Sequence, residues 1–220
     1  MLCPYDTPNT EALPLRRYAH LHHETKRLIE SCLRRALEEG ANGGGGGLTA
    51  FAFVWQSFNG FAACVTRQDI EIDIVRRAAN CPELTRRFGK LMAEDDGFRS
   101  AATEFAQSWP IFRAHDLRAT GAAFLPFATR ADRIAHYLSV GGLRHQPECF
   151  EAHQAEQGRV PIDWPHTLHA VYRVRCNLFH EKESLTSETE PQIVGPACRV
   201  LSSFLVRSGL IEARDGSHTI

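Results

Sequence analysis

Residues 48–65 would be apolar around most of the circumference if they formed a helix. The bulky side chains responsible are those of Phe51, Val54, Trp55, Phe58 and Phe61. A helix that is apolar on nearly every side must be covered by other elements, so this one is predicted to be central. Two polar residues on the same segment, Gln56 and Asn59, then need hydrogen-bond partners inside the molecule.

Helices are also predicted for most of the rest of the chain. Strands would show apolar and polar residues in alternation, and no segment does so convincingly. Residues 70–75 are the best candidate for a strand, ahead of 160–164, and a helix at 70–80 is the favoured alternative. Residues 109–126 are predicted to be a loop holding at most one short helix. The remaining helices are predicted at about 15–39, 82–93, 97–108, 129–140, 148–157, 165–180 and 189–208. The fold class predicted is therefore all-α.

The length of 220 residues fits one domain, and a 43% apolar content is enough to build a core. Residues 1–14 are predicted to be an extended arm. Five consecutive glycines make residues 41–47 a flexible linker. This run is not a phosphate-binding loop, because no Lys-Ser/Thr pair follows it and no strand precedes it.

Composition narrows the compartment and the partners that we expect. The seven cysteines are an odd number without a C-x-x-C pair, so they are expected to be reduced in a cytoplasmic protein. No signal peptide is evident, and no apolar run reaches the length of a membrane span. A net charge of −1 argues against tight non-specific binding to nucleic acid. An enzyme that acts on nucleic acid needs only a local basic patch, and such a patch is compatible with a net charge near zero.

Arg175 interrupts the apolar face of the helix predicted at 165–180. A guanidinium keeps its proton in proteins, so its burial is costly unless the charge is paired or used. A structural arginine would pair with an acidic residue such as Glu71 or Glu188. The functional alternative follows from what surrounds Arg175 in the sequence.

The string YRVRCNLFH, from Tyr172 to His180, resembles the Arg-x4–6-His signature of HEPN domains, all-helical proteins of which many are metal-independent ribonucleases. The segment WQSFN at 55–59 resembles the W-x-x-F-N helix that often precedes the motif helix in that family. The Arg-x4-His spacing occurs a second time, at Arg17 and His22. The whole string and its place near the end of a helix therefore carry the resemblance, and the spacing alone does not.

The resemblance implies a HEPN-like helical bundle. Its core would be the helices at 48–65, 165–180 and 189–208 with one more helix. Residues from about 70 to 160 would form a helical elaboration between core helices.

The resemblance also implies the catalytic residues. His180 would be the general base that takes the proton from a ribose 2′-OH, and Arg175 would stabilise charge on the phosphate. Asn177 shares a helical face with His180 and would orient it, or else it faces solvent or caps the helix. No cofactor and no metal are expected.

RNA would be the substrate, and a homodimer would line one cleft with both motifs. Residues 48–65 carry more bulky apolar side chains than one buried helix face requires, and this excess supports a dimer. The biological setting implied is toxin–antitoxin or anti-phage defence, with an antitoxin or a nucleotidyltransferase as partner.

The competing hypothesis is a non-catalytic HEPN-like binding or scaffold protein, in which Arg175 and His180 hold the dimer or bind a nucleotide. A helical regulatory module with an accidental motif is a third hypothesis.

A cluster near the N-terminus, His20, His22, His23 and Glu24, invites a metal-binding interpretation. His20 and Glu24 are four residues apart and would share a helical face. Zinc sites need three or four ligands, and no second cluster with ligand spacing lies nearby. A solvated helix face is therefore the favoured prediction for these residues.

Overall fold

The computed structural model describes residues 12–41, 47–122, 125–180 and 190–212. These residues form eleven helices and one antiparallel pair of two-residue strands, which confirms the all-α class. The elements are α1 (Arg16–Ala19), α2 (His23–Ala41), α3 (Gly47–Thr66), α4 (Glu71–Ala79), α5 (Pro82–Glu94), α6 (Asp96–Ala106), β1 (Ile111–Phe112), α7 (Ala114–Ala119), α8 (Arg130–Val140), β2 (His145–Gln146), α9 (Phe150–Gln157), α10 (Trp164–His180) and α11 (Glu190–Arg207).

Local chemistry sets several of the helix ends. Pro82 opens α5, where its missing N–H costs no hydrogen bond. The side chain of Asp95 caps α6 by accepting from the Phe98 N–H at 2.9 Å, and Thr129 caps α8. Gly158 ends α9 in the left-handed region, at φ +71°. These signals can be read in the sequence, so the predicted limits of these helices lie within two residues of those observed.

The single helix predicted at 15–39 is wrong, because α1 ends at Ala19 and α2 begins at His23. The break lets Tyr18 turn into the core, where its ring meets that of Phe61 edge-on at 5.3 Å. The strand considered at 70–75 is also wrong. That segment begins α4, whose buried face carries Ile74, Val75, Ala78 and Ala79.

Helix α3 lies at the centre of the main core, as predicted, and is packed against α1, α2, α4 and α11. Gly60 allows the close approach of α2, since a Cβ at this position would lie 2.9 Å from Ile29 Cγ1. The Ser57 hydroxyl donates to the Ile29 carbonyl oxygen at 2.9 Å and joins the same two helices. In the described part of the chain, α3 alone is long and apolar enough to span a membrane, a test that buried core helices also pass.

The region predicted as an elaboration, at about 70–160, divides into two parts. Helices α4, α5 and α6 contribute side chains to the main core together with α3, α10 and α11. A second, small apolar cluster forms farther along the chain, from Phe112, Ala122, Tyr137 and Leu143. The strand pair β1–β2 adjoins both parts and contacts α10.

The first turn of α10 is anchored by Trp164. Its ring lies 4.3 Å from that of Phe204 on α11 and 6.0 Å from that of Phe88 on α5, measured between centroids. Its indole N–H donates to the Ala78 carbonyl oxygen at 2.8 Å. Three helices therefore fix the start of α10, and this placement orients every residue along it.

The predicted arm and linker fall mostly outside the described residues. Within the arm, residues 12–14 are described, and Leu13 is buried in the main core. Within the linker, Gly47 is the first residue of α3, and residues 42–46 lie outside the description. Glu188, one of the two acidic partners considered for Arg175, also lies outside it.

Candidate functional site around Arg175

Arg175 lies on α10, five residues before the helix ends at His180, and its side chain is 18% exposed. Its Nε is 3.0 Å from Oε1 of Glu71 on α4. Its guanidinium carbon also lies 5.6 Å from the centroid of the exposed Phe179 ring. The ion pair with Glu71, one of the structural alternatives predicted from the sequence, is confirmed.

Glu71 is shared between Arg175 and the central helix α3. The same oxygen, Oε1, accepts a hydrogen bond of 2.9 Å from the indole N–H of Trp55. The Trp55 ring stacks on that of Tyr172, with 5.8 Å between centroids and 26° between planes. Trp55 belongs to the WQSFN segment, and Tyr172 begins the YRVRCNLFH string. The two segments that resemble the HEPN pattern therefore meet beside the carboxylate of Glu71.

Two titratable neighbours of Arg175 on α10, Tyr172 and Cys176, are neutral near pH 7. Burial raises the pKa of the Tyr172 phenol, and the adjacent Cys176 adds to that shift. Burial also raises the pKa of the Cys176 thiol, more than Tyr172, Arg173 and Arg175 lower it. Neither group is therefore a ready nucleophile or base near pH 7.

Asn177 binds main-chain groups with both ends of its amide. Its Nδ2 donates to the Phe112 carbonyl oxygen at 2.9 Å, and its Oδ1 accepts from the Ala114 N–H at 3.3 Å. These bonds hold the junction between β1 and α7 against α10. The sequence did not suggest this contact with the β1–α7 junction, and the role of Asn177 in orienting His180 stays a prediction. A part in catalysis stays a prediction.

His180 is the last residue of α10, and its side chain lies outside the described part of the chain. Five residues of helix separate it from Arg175 by about 7.5 Å along the axis. The convergence of the two side chains in one cleft therefore stays a prediction. The other Arg-x4-His pair is placed differently, because α1 ends between Arg17 and His22.

The N-terminal histidines are exposed, together with Glu24, which agrees with the solvated face predicted for them. A different group comes together in the interior. The side chains of Cys149, His153 and His166 place one thiol and two imidazoles within 4.8 Å of one another.

Sequence reasoning missed this interior group because its members lie on two helices. The signal available was modest. Cys149 and His153 are four residues apart at the start of a predicted helix, and Asp163 precedes His166 by three residues.

Comparison with known proteins adds no functional information. No protein-family model, no curated protein and no solved structure matches this chain. The chain's own residues and their placement are therefore what indicate its function.

Proposed function

We propose that this chain is a HEPN-type, metal-independent endoribonuclease with Arg175 and His180 as its catalytic pair. The observation that supports the proposal is the meeting of Trp55 and Arg175 at Glu71. Trp55 and Arg175 belong to the two segments that resemble the HEPN pattern, and those segments are distant in the sequence. Accidental matches would have no reason to share a carboxylate, whereas two parts of one site would.

The chemistry follows from the residue types. Contacts with Glu71 and Phe179 hold the guanidinium of Arg175 near the end of α10. A bidentate cation placed there stabilises the charge that develops on a scissile phosphate. His180 would accept the proton of the 2′-OH, whose oxygen then attacks the adjacent phosphorus. The bond between phosphorus and the 5′ oxygen would break, and the departing oxygen would take a proton from water, so the products would be a 2′,3′-cyclic phosphate and a 5′-hydroxyl end.

A second candidate function is a HEPN-like scaffold or binding protein without catalysis. The observation that favours it is the Arg175–Glu71 ion pair, which satisfies a mostly buried guanidinium without a substrate. The setting in toxin–antitoxin or anti-phage defence, with an antitoxin or nucleotidyltransferase partner, belongs to the first proposal and follows from the resemblance.

Cleavage of RNA by the full chain tests the proposal. We expect cleavage in EDTA, with products that end in a 2′,3′-cyclic phosphate or its hydrolysed form. Substituting His180→Ala or Arg175→Ala should lower the rate by about 10²–10⁴-fold. Arg175→Lys should not restore the rate, because an ammonium lacks the bidentate geometry. RNA with 2′-deoxyribose at the cleaved position should resist.

The second Arg-x4-His pair supplies a matched control. Arg17→Ala and His22→Ala remove the same residue types at the same spacing, and they should leave cleavage unchanged. Circular dichroism in the assay buffer would establish that each variant is folded. Cleavage that needs a divalent metal and survives His180→Ala would overturn the mechanism. A folded chain that cuts no RNA, and whose dimer is lost when both Arg175 and His180 are replaced, would favour the scaffold.

A further inference from the structure

The junction between α9 and α10 contains a compact group of metal-ligating side chains. Cys149 directly precedes α9, His153 lies one turn farther along it, and His166 lies in the first turn of α10. All three residues are buried, with exposed fractions of 5%, 8% and 2%. The Sγ of Cys149 is 3.2 Å from Nε2 of His166.

His153 is the unusual member of this group. Neither of its ring nitrogens has a hydrogen-bond partner among the residues that the structure describes, although both are buried. Buried polar groups in proteins are nearly always satisfied, since leaving one without a partner is costly. One ring nitrogen lies within 4.8 Å of the Cys149 sulfur and of a His166 nitrogen. A ligand bound between the three side chains would satisfy it.

His166 is already oriented as a metal ligand would be. Its Nδ1 lies 2.6 Å from Oδ1 of Asp163, and the same oxygen accepts from the His166 main-chain N–H at 3.1 Å. The carboxylate thereby fixes the ring and directs Nε2 toward Cys149. Zinc-bound histidines commonly have a carboxylate on the second ring nitrogen in this way.

We propose that Cys149, His153 and His166 bind one zinc ion. One thiolate and two imidazoles are a donor set that zinc favours. With ordinary zinc bond lengths, tetrahedral ligand atoms lie about 3.3–3.6 Å apart. The observed 3.2 Å between Cys149 and His166 is close to this separation, and His153 needs only a small shift. Binding displaces the thiol proton of Cys149, and a water molecule completes the tetrahedron.

We expect this zinc ion to stabilise the fold, although three protein ligands and a water molecule are also the ligand set of catalytic zinc sites. It joins the start of α9 to the start of α10 and closes the connection between them. Its ligands are too buried to meet a substrate. His166 precedes Arg175 by nine residues, which is about 14 Å of helix, so the ion cannot share a phosphate with the guanidinium. The inference does not depend on the proposed ribonuclease activity.

Cys149, His166 and Asp163 also have the order of a nucleophile, a base and an orienting carboxylate. That alternative leaves His153 without a role and requires access to a thiol that is 5% exposed. The zinc site accounts for all four residues, so it is the inference that the contacts favour.

Metal analysis of the full chain provides the test. Protein expressed with added zinc and dialysed against metal-free buffer should retain about one zinc ion per chain. Removing the ion should lower the melting temperature by about 5–10 °C. Cys149→Ser and His153→Gln should lose the zinc. Cys198→Ser is the matched control, because that thiol is also buried but lies on α11, outside the cluster.

Two further measurements cover the case in which the ligand variants do not fold. Asp163 has a side chain that is 40% exposed, so Asp163→Asn should fold. It should weaken zinc binding about 10–100-fold in competition with a chromophoric chelator. Cobalt added to the zinc-free wild-type chain should show visible bands of a tetrahedral ion and a thiolate charge-transfer band.

Three results would overturn the inference. The first is a folded wild-type chain that holds no stoichiometric zinc and gains no thermal stability when zinc is added. The second is rapid alkylation of Cys149 in the native protein, which would indicate an accessible nucleophile. The third is equal zinc loss in the Cys198→Ser control. Zinc content is measured without RNA, so this test and the cleavage test can fail separately.

Discussion

At the scale of single residues, Glu71 performs two tasks with one oxygen. It accepts from the Trp55 indole and pairs with the guanidinium of Arg175. Arg175 is mostly buried, so the charge of this carboxylate helps to offset the cost of burying the guanidinium. A surface arginine with water around it would not depend on its partner in the same way.

Glu71→Gln should destabilise the fold by about 1–2 kcal/mol, because the amide keeps a bond to Trp55 but no longer carries the negative charge that pairs with Arg175. The free energy of unfolding in urea measures the change. Glu104→Gln is the control, since Glu104 pairs with Arg199 on the surface and its loss should cost at most about 0.5 kcal/mol. Equal costs in the two variants would contradict the special position of Glu71.

At the scale of helices, a carboxylate near the start of α5 organises two arginines. Glu83 accepts from Arg86 and from Arg87 at 2.8 Å, and Arg87 also donates to the Ser208 carbonyl oxygen beyond the end of α11. These hydrogen bonds lower the pKa of Glu83 to about 2. The carboxylate therefore helps to hold α5 against the end of α11.

The pH dependence of stability should report this group. The pKa of Glu83 is depressed in the folded chain, so its contribution is complete above the ordinary value of 4.5 and is lost as the pH falls toward 2. The free energy of unfolding of Glu83→Gln should therefore approach that of the wild type across this window. A difference between the two proteins that stays constant from pH 5 down to pH 2 would contradict the assignment.

At the scale of the whole molecule, one of the reasons for predicting a dimer, the apolar character of residues 48–65, is weakened. The side chains of Trp55, Phe58 and Phe61, which suggested an interface, are buried within one chain by the helices around α3. Within the motif itself, Phe179 is an exposed apolar residue: its side chain is 46% exposed and contacts Arg175. A dimer that lines one cleft with two motifs would bury this ring.

Phe179→Ser should therefore weaken the proposed dimer, while Leu28→Ser should not, since Leu28 is 63% exposed on α2, away from the motif helix. Sedimentation velocity across a range of protein concentrations measures the association. A stable interface would bury more than about 1,000 Å² in total. A wild-type chain that stays monomeric at tens of micromolar would count against the composite cleft.

Much of the helical layout could be predicted from local sequence, since periodicity, proline and capping residues act within a few positions. The break between α1 and α2 could not, because it depends on Tyr18 packing against Phe61, a distant residue. The division of the region 70–160 could not either. Which helices join the main core is decided by contacts that no local pattern records.

The candidate site, like the fold, could be predicted from the sequence only in part. The sequence by itself determined an all-α chain, a central apolar helix, a motif near the end of α10 and a charge on it that needed a partner. Only the tertiary structure decided that Glu71 is that partner and that Trp55 shares it. It also brought Cys149, His153 and His166 together from two helices. Periodicity describes the face of one helix, whereas a site made from several helices depends on how those helices pack.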